Sequence, residues 1–77
     1  MKAQVNSELS NYLKMLRVKN GLSQEAIADK LCITRQCYTS WENNPIKLSL
    51  SQLIAIGDAM GEDILNFFNK YIAKCNT

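Results

Sequence analysis

Apolar residues stand at helical intervals through most of the chain. Leu9, Leu13 and Leu16 occupy i, i+4 and i+7 with Tyr12 beside them, which predicts an amphipathic helix from near Ser7 to Asn20, stopped by Gly21. Ile27 and Leu31 stack on one face of a second, short helix, with Ala28 beside them. Ser23 before it and Thr34 before the next each carry a hydroxyl that can accept from the unpaired N–H groups opening a helix. Residues from about 23 to 42 therefore read as two short helices joined by a tight turn. The segment Asn43-Asn44-Pro45-Ile46-Lys47-Leu48, with a turn dipeptide and a proline, reads as a loop. Ser49 and Gln52 then form a capping box, Leu50, Leu53, Ile54 and Ile56 supply apolar surface, and Gly61 ends that helix. Asp63 can cap a last helix over about 64–74, whose Ile64, Leu65, Phe67, Phe68, Tyr71 and Ile72 exceed what one buried stripe requires. No strand pattern or low-complexity segment interrupts this series, and the expectation is an all-α fold in a single domain over 1–77.

The helix after Thr34 has two unlike sides. At about 100° per residue, Arg35, Gln36, Thr39 and Ser40 share one sector, while Cys37, Tyr38 and Trp41 fall opposite, where a core is expected. Arg can donate a bidentate pair to guanine, Gln can pair with adenine, and Thr or Ser can bond either kind of base. A merely solvated face would mix Lys and Glu; short uncharged hydrogen-bonding groups suit the edges of bases in a major groove. Arg35, Gln36, Thr39 and Ser40 are therefore the candidate base-reading residues.

Composition narrows the class. A chain of 77 residues hides roughly 60–65% of its unfolded surface in a small core, and is short for an enzyme. With 47% hydrophobic and 21% charged residues it is an ordinary globular chain, and no apolar run approaches the roughly 20 residues that cross a bilayer. The first residues, Met1-Lys2-Ala3-Gln4-Val5-Asn6, lack a signal-peptide core, and three cysteines without a secretory segment point to a reducing cytoplasm. There is no histidine, and cysteines at 32, 37 and 75 make no zinc pattern, so no metal or cofactor is expected. A net charge of +2 is weak support for nucleic-acid binding; the placement of Lys14, Arg17, Lys19, Lys30, Arg35 and Lys47 matters more than the total.

Leu13-Lys14-Met15-Leu16-Arg17, Gly21-Leu22-Ser23-Gln24-Glu25, Thr34-Arg35-Gln36, Trp41-Glu42-Asn43 and Leu53-Ile54-Ala55-Ile56-Gly57-Asp58-Ala59-Met60-Gly61 together resemble the phage-repressor type of helix-turn-helix, the Cro/C1-type or Xre family of transcriptional regulators. The resemblance covers about fifty-five of the 77 residues. It implies a compact five-helix, lambda-repressor-like domain whose second and third helices form the helix-turn-helix, the third entering the major groove. It also implies a structural ion pair between Arg17 and Glu42, and contacts to DNA phosphates from Gln24, Thr34 and Asn43, with Lys47 adding charge from the loop. For Gln24 the helix N-terminus beside it favours a phosphate independently. Two residues depart from the family pattern. Cys32 stands in the turn where Gly is frequent, and Tyr38 stands where Ile or Val is usual. The Tyr38 hydroxyl must reach water or a partner, either at the core's edge against a phosphate or within the packing.

The function expected is sequence-specific binding of double-stranded DNA by a small transcriptional regulator, a phage-type or prokaryotic repressor that occupies an operator. A single short helix reads few base pairs, so a homodimer on a palindromic site is expected, with half-site centres about 10–10.5 bp apart or a multiple of that. Phe67, Phe68, Tyr71 and Ile72 are the candidate dimer interface. The alternative is a protein-interaction module of the same fold, such as an antitoxin that binds a toxin, or a restriction-modification controller. An enzyme with Cys32 or Cys37 as nucleophile is the weakest option, since no histidine is present to act as base.

Overall fold

The computed structural model describes residues 2–64 and Asn69. Helix α1 spans Lys2–Lys19 and so begins well before the expected Ser7. Asn6 accounts for the extra turn: its Oδ1 accepts from the Ile46 backbone N–H at 3.1 Å, and its Nδ2 donates to the Asn43 carbonyl at 3.5 Å. That anchor lies far away in sequence, which is why the local apolar pattern missed it. At the other end Gly21, at φ 68°, turns the chain out of the helix, and the Leu22 N–H closes back on the Arg17 carbonyl at 3.0 Å.

Helices α2 (Gln24–Leu31), α3 (Arg35–Asn43) and α4 (Leu50–Met60) follow. Between α3 and α4 the segment read as a loop holds a short 3₁₀ turn over Pro45–Lys47, with Pro45 supplying a preset φ at its first position. Ser49 and Gln52 form the expected capping box, Gln52 N–H donating to the Ser49 hydroxyl at 3.2 Å and Ser49 N–H to Gln52 Oε1 at 2.8 Å. Among the described residues there is no strand, and four α-helices with one 3₁₀ turn make an all-helical fold. The fifth helix expected over about 64–74, with Phe67, Phe68, Tyr71 and Ile72, lies outside the described residues apart from Ile64 and Asn69.

The core gathers Leu9, Leu13 and Leu16 of α1, Ile27 and Ala28 of α2, Tyr38 of α3, Leu53, Ile56 and Met60 of α4, and Ile64. Of the apolar surface expected on α4, Leu50 and Ile54 are 58% and 38% exposed. The buried face of α4 is Leu53, Ile56, Gly57 and Met60, and Leu50 and Ile54 sit on its flank. Gly57 permits a close approach, since a Cβ there would lie 3.0 Å from the Glu62 carbonyl and 3.2 Å from the Ile64 Cβ. The chain thus folds back over α4 after Gly61 and delivers Ile64 to the core. Polar ties close the rest: Asn20 Nδ2 donates to Glu62 Oε2 at 2.9 Å, and Lys30 Nζ to the Ala59 carbonyl at 3.2 Å. No helix among the described residues is long and apolar enough to cross a membrane.

Candidate nucleic-acid interface

Local chemistry at three residues defines both ends of α2 and the start of α3. The Ser23 hydroxyl accepts from the Ala26 N–H at 3.0 Å and the Thr34 hydroxyl from the Cys37 N–H at 3.1 Å, so each helix start is satisfied. Between them Cys32 takes the left-handed conformation, φ 58°, and closes α2 as a glycine would, while the Ile33 N–H reaches back to the Ala28 carbonyl at 3.0 Å. A side chain in that region carries a steric cost of roughly 1 kcal/mol. The turn thus holds a left-handed residue with a side chain where a glycine would sit without strain.

Helix α3 is two-sided as its arithmetic requires. Tyr38 and Glu42 are buried, and Cys37 and Trp41 are half-buried. On the other side Arg35, Gln36 and Ser40 are exposed, and Thr39 is half-buried against α2. Thr34, Asn43 and Lys47 are exposed at the ends of this ridge. A polar recess lined by Arg17, Ser23, Gln24, Glu25 and Arg35 opens beside it at the start of α2.

Behind the ridge, Glu42 is the centre of a closed hydrogen-bond network. Its side chain has no solvent exposure, and that of Arg17 has 16%. Arg17 Nε donates to Oε2 at 2.9 Å and Nη2 to Oε1 at 3.3 Å, so the two residues form a bidentate pair. The Tyr38 hydroxyl donates to Oε2 at 2.8 Å, and Gln24 Nε2 donates to Oε1 at 3.1 Å. Burial alone would push the Glu42 carboxyl up; the hydrogen bonds from Arg17, Tyr38 and Gln24, with the Arg17 charge, outweigh it and hold the group below the usual carboxylate range. Burial, followed by the hydrogen bond to Glu42 and its negative charge, pushes the Tyr38 phenol up, against the opposing pull of Arg17. Arg17 also donates to the Leu22 carbonyl at 3.0 Å, which ties the end of α1 to the start of the motif.

Of the residues singled out in the sequence, the structure brings Arg17, Gln24, Thr39 and Glu42 together and leaves Arg35, Gln36, Ser40, Asn43 and Lys47 open to solvent. Gln24 is bound at both ends of its amide, to Glu42 and to Thr39, whose hydroxyl donates to Gln24 Oε1 at 3.0 Å. Tyr38 is fully buried and spends its hydroxyl on Glu42, which removes the option of a phosphate contact. That role was visible in the i, i+4 spacing of Tyr38 and Glu42, which places a phenol and a carboxylate on one helix face.

A two-helix motif with a fixed turn, a polar outer ridge and a locked inner face defines the class as a helix-turn-helix protein. A helix-turn-helix family model matches residues 13–67, and the chain belongs to that family, the Cro/C1-type, Xre-like DNA-binding regulators. No curated protein and no solved structure matches the chain. The family is one of DNA-binding regulatory domains and is not typically enzymatic.

Proposed function

We propose that this protein is a sequence-specific repressor that docks α3 in the major groove of an operator in the cytoplasm. The observation that carries the reading is the exposure of Arg35, Gln36 and Ser40 on a helix whose opposite face is fixed by Tyr38 and Glu42. Because the buried face of α3 is fixed by Glu42 and its partners, the ordering cost on binding falls on the exposed side chains of the ridge rather than on the helix.

Arg35, Gln36, Thr39 and Ser40 read base edges in this account, Arg35 by a bidentate pair to guanine. Gln24, Thr34, Asn43 and Lys47 position the helix by phosphate contacts, which carry no sequence information themselves. The Thr34 oxygen is occupied as a helix cap, but its hydroxyl proton is available to a phosphate. One short helix per chain requires a second copy for a usable site, so a homodimer on a palindromic operator completes the proposal, with Phe67, Phe68, Tyr71 and Ile72 of a fifth helix as its contact. The exposed Leu50 and Ile54 give some weight to the second reading, a protein-binding module such as an antitoxin or restriction-modification controller.

Selection of bound duplexes from a random pool tests the proposal. A repressor of this kind enriches a short inverted repeat whose half-sites lie one helical turn apart or a multiple of it. An unenriched pool, with the protein bound to no duplex above random competitor, would contradict it.

A further inference from the structure

The Glu42 network fixes more than the position of α3: it fixes the direction of a hydrogen bond on the reading ridge. Arg17 Nε and the Tyr38 hydroxyl occupy Oε2, while Arg17 Nη2 and Gln24 Nε2 occupy Oε1. An ionised carboxylate can only accept, so the Gln24 amide must turn its nitrogen toward Glu42. Its oxygen then faces Thr39 at 3.0 Å. A carbonyl oxygen can only accept as well, so the Thr39 hydroxyl must donate, and its single proton is committed to Gln24. Only oxygen lone pairs remain for any other partner. A free threonine reads any base; one whose proton is tied has lost half of its vocabulary.

Resting on the DNA-binding function proposed above, we propose that Thr39 meets the duplex as an acceptor alone and selects adenine or cytosine over guanine or thymine on the strand it faces. In the major groove adenine N6 and cytosine N4 are donors, whereas guanine N7 and O6 and thymine O4 are acceptors that would oppose the Thr39 lone pairs. Gln24 is then a positioning residue for specificity in addition to a phosphate contact. One of its amide protons goes to Glu42 and the other stays available to the DNA backbone. Tyr38 and Arg17 bear on Thr39 through the carboxylate, since both hold the Glu42 side chain that orients Gln24.

The test has two arms. Affinities for the selected operator, with every base tried at every position, are compared among the native chain, Thr39→Val, Thr39→Ser and Gln24→Ala. The native chain should favour adenine or cytosine by about three- to tenfold at one position per half-site. Thr39→Val should erase that preference and Thr39→Ser should keep it. Gln24→Ala should weaken all sequences and also flatten that one position, because the freed hydroxyl can donate again; preferences at the other positions should persist. Guanine or thymine favoured there, or a preference untouched by Gln24→Ala or by Thr39→Val, overturns the inference while leaving DNA recognition intact. A native chain that selects no duplex overturns the functional reading itself. In the free protein, NMR should show the Glu42-bound side-chain amide proton of Gln24 exchanging with water more slowly than the side-chain amide protons of exposed Gln36. Equal exchange would overturn the inference with no DNA present.

Discussion

Glu42 keeps its charge out of water because every acceptor position on its carboxylate is taken by Arg17, Tyr38 or Gln24. Removing one donor therefore costs more than an exposed bond would. Tyr38→Phe should lower unfolding free energy by about 1–3 kcal/mol with the helical spectrum unchanged, as measured by urea denaturation. Truncating Arg17 strands the buried charge and should cost about 3–5 kcal/mol, and a double-mutant cycle between Arg17 and Glu42 should show strong coupling. The network also bounds the pH range. The Glu42 carboxyl titrates below its unfolded value, so its contribution is present above about pH 4.3 and is lost as pH falls through the folded value. The Tyr38 phenol titrates above its unfolded value, so its contribution is present below about pH 10 and fades as the unfolded chain ionises first. Urea melts across this range should show both losses, and Tyr38→Phe should lack the alkaline one. The outward ridge of Arg35, Gln36 and Ser40 was legible in the sequence because facing follows from helical arithmetic. The attachment of Gln24 to both Glu42 and Thr39 was not, since it depends on how α2 crosses α3.

Element boundaries divide the same way. Ser23, Thr34 and the Ser49–Gln52 pair marked their helix starts correctly because a cap involves only residues a few places apart. The early start of α1 depends on Asn6 reaching Ile46, and the 3₁₀ turn at Pro45 lies against that contact, so neither showed in a local pattern. The apolar surface of Leu50, Leu53, Ile54 and Ile56 was legible, but which part of it is covered was not: Leu53 and Ile56 are buried while Leu50 and Ile54 stay exposed. Cys32 shows that a turn can be specified without its preferred glycine: its φ of 58° is imposed by the caps and hydrogen bonds on either side. Cys32→Gly should therefore stabilise the domain by up to about 1 kcal/mol, read as a higher urea midpoint at unchanged slope. Gly57→Ala should do the reverse despite alanine's better helix propensity, because the added Cβ would meet the backbone carbonyl of Glu62 at 3.0 Å. A fall in melting temperature checks it, and a rise would mean that the turn after Gly61 yields easily.

At the scale of the molecule, a small core carries one helix whose outer face stays exposed to solvent. In the proposed complex, attraction to phosphates carries no sequence information, so discrimination would rest on short contacts along the ridge. Arg35 and Lys47 separate the two kinds of contact. Arg35→Ala should lose about 1–3 kcal/mol on the selected operator and relax one base-pair position, whereas Lys47→Ala should weaken all duplexes alike and reduce the salt slope by about 1. The most direct measurement is a titration of the native chain and Arg35→Ala against the selected operator and a scrambled duplex at two salt concentrations. Arg35→Ala should narrow the gap between operator and scrambled duplex at both concentrations. An unchanged gap with weaker binding to both would contradict it, because Arg35 would then be contacting the backbone and α3 would not be reading the groove.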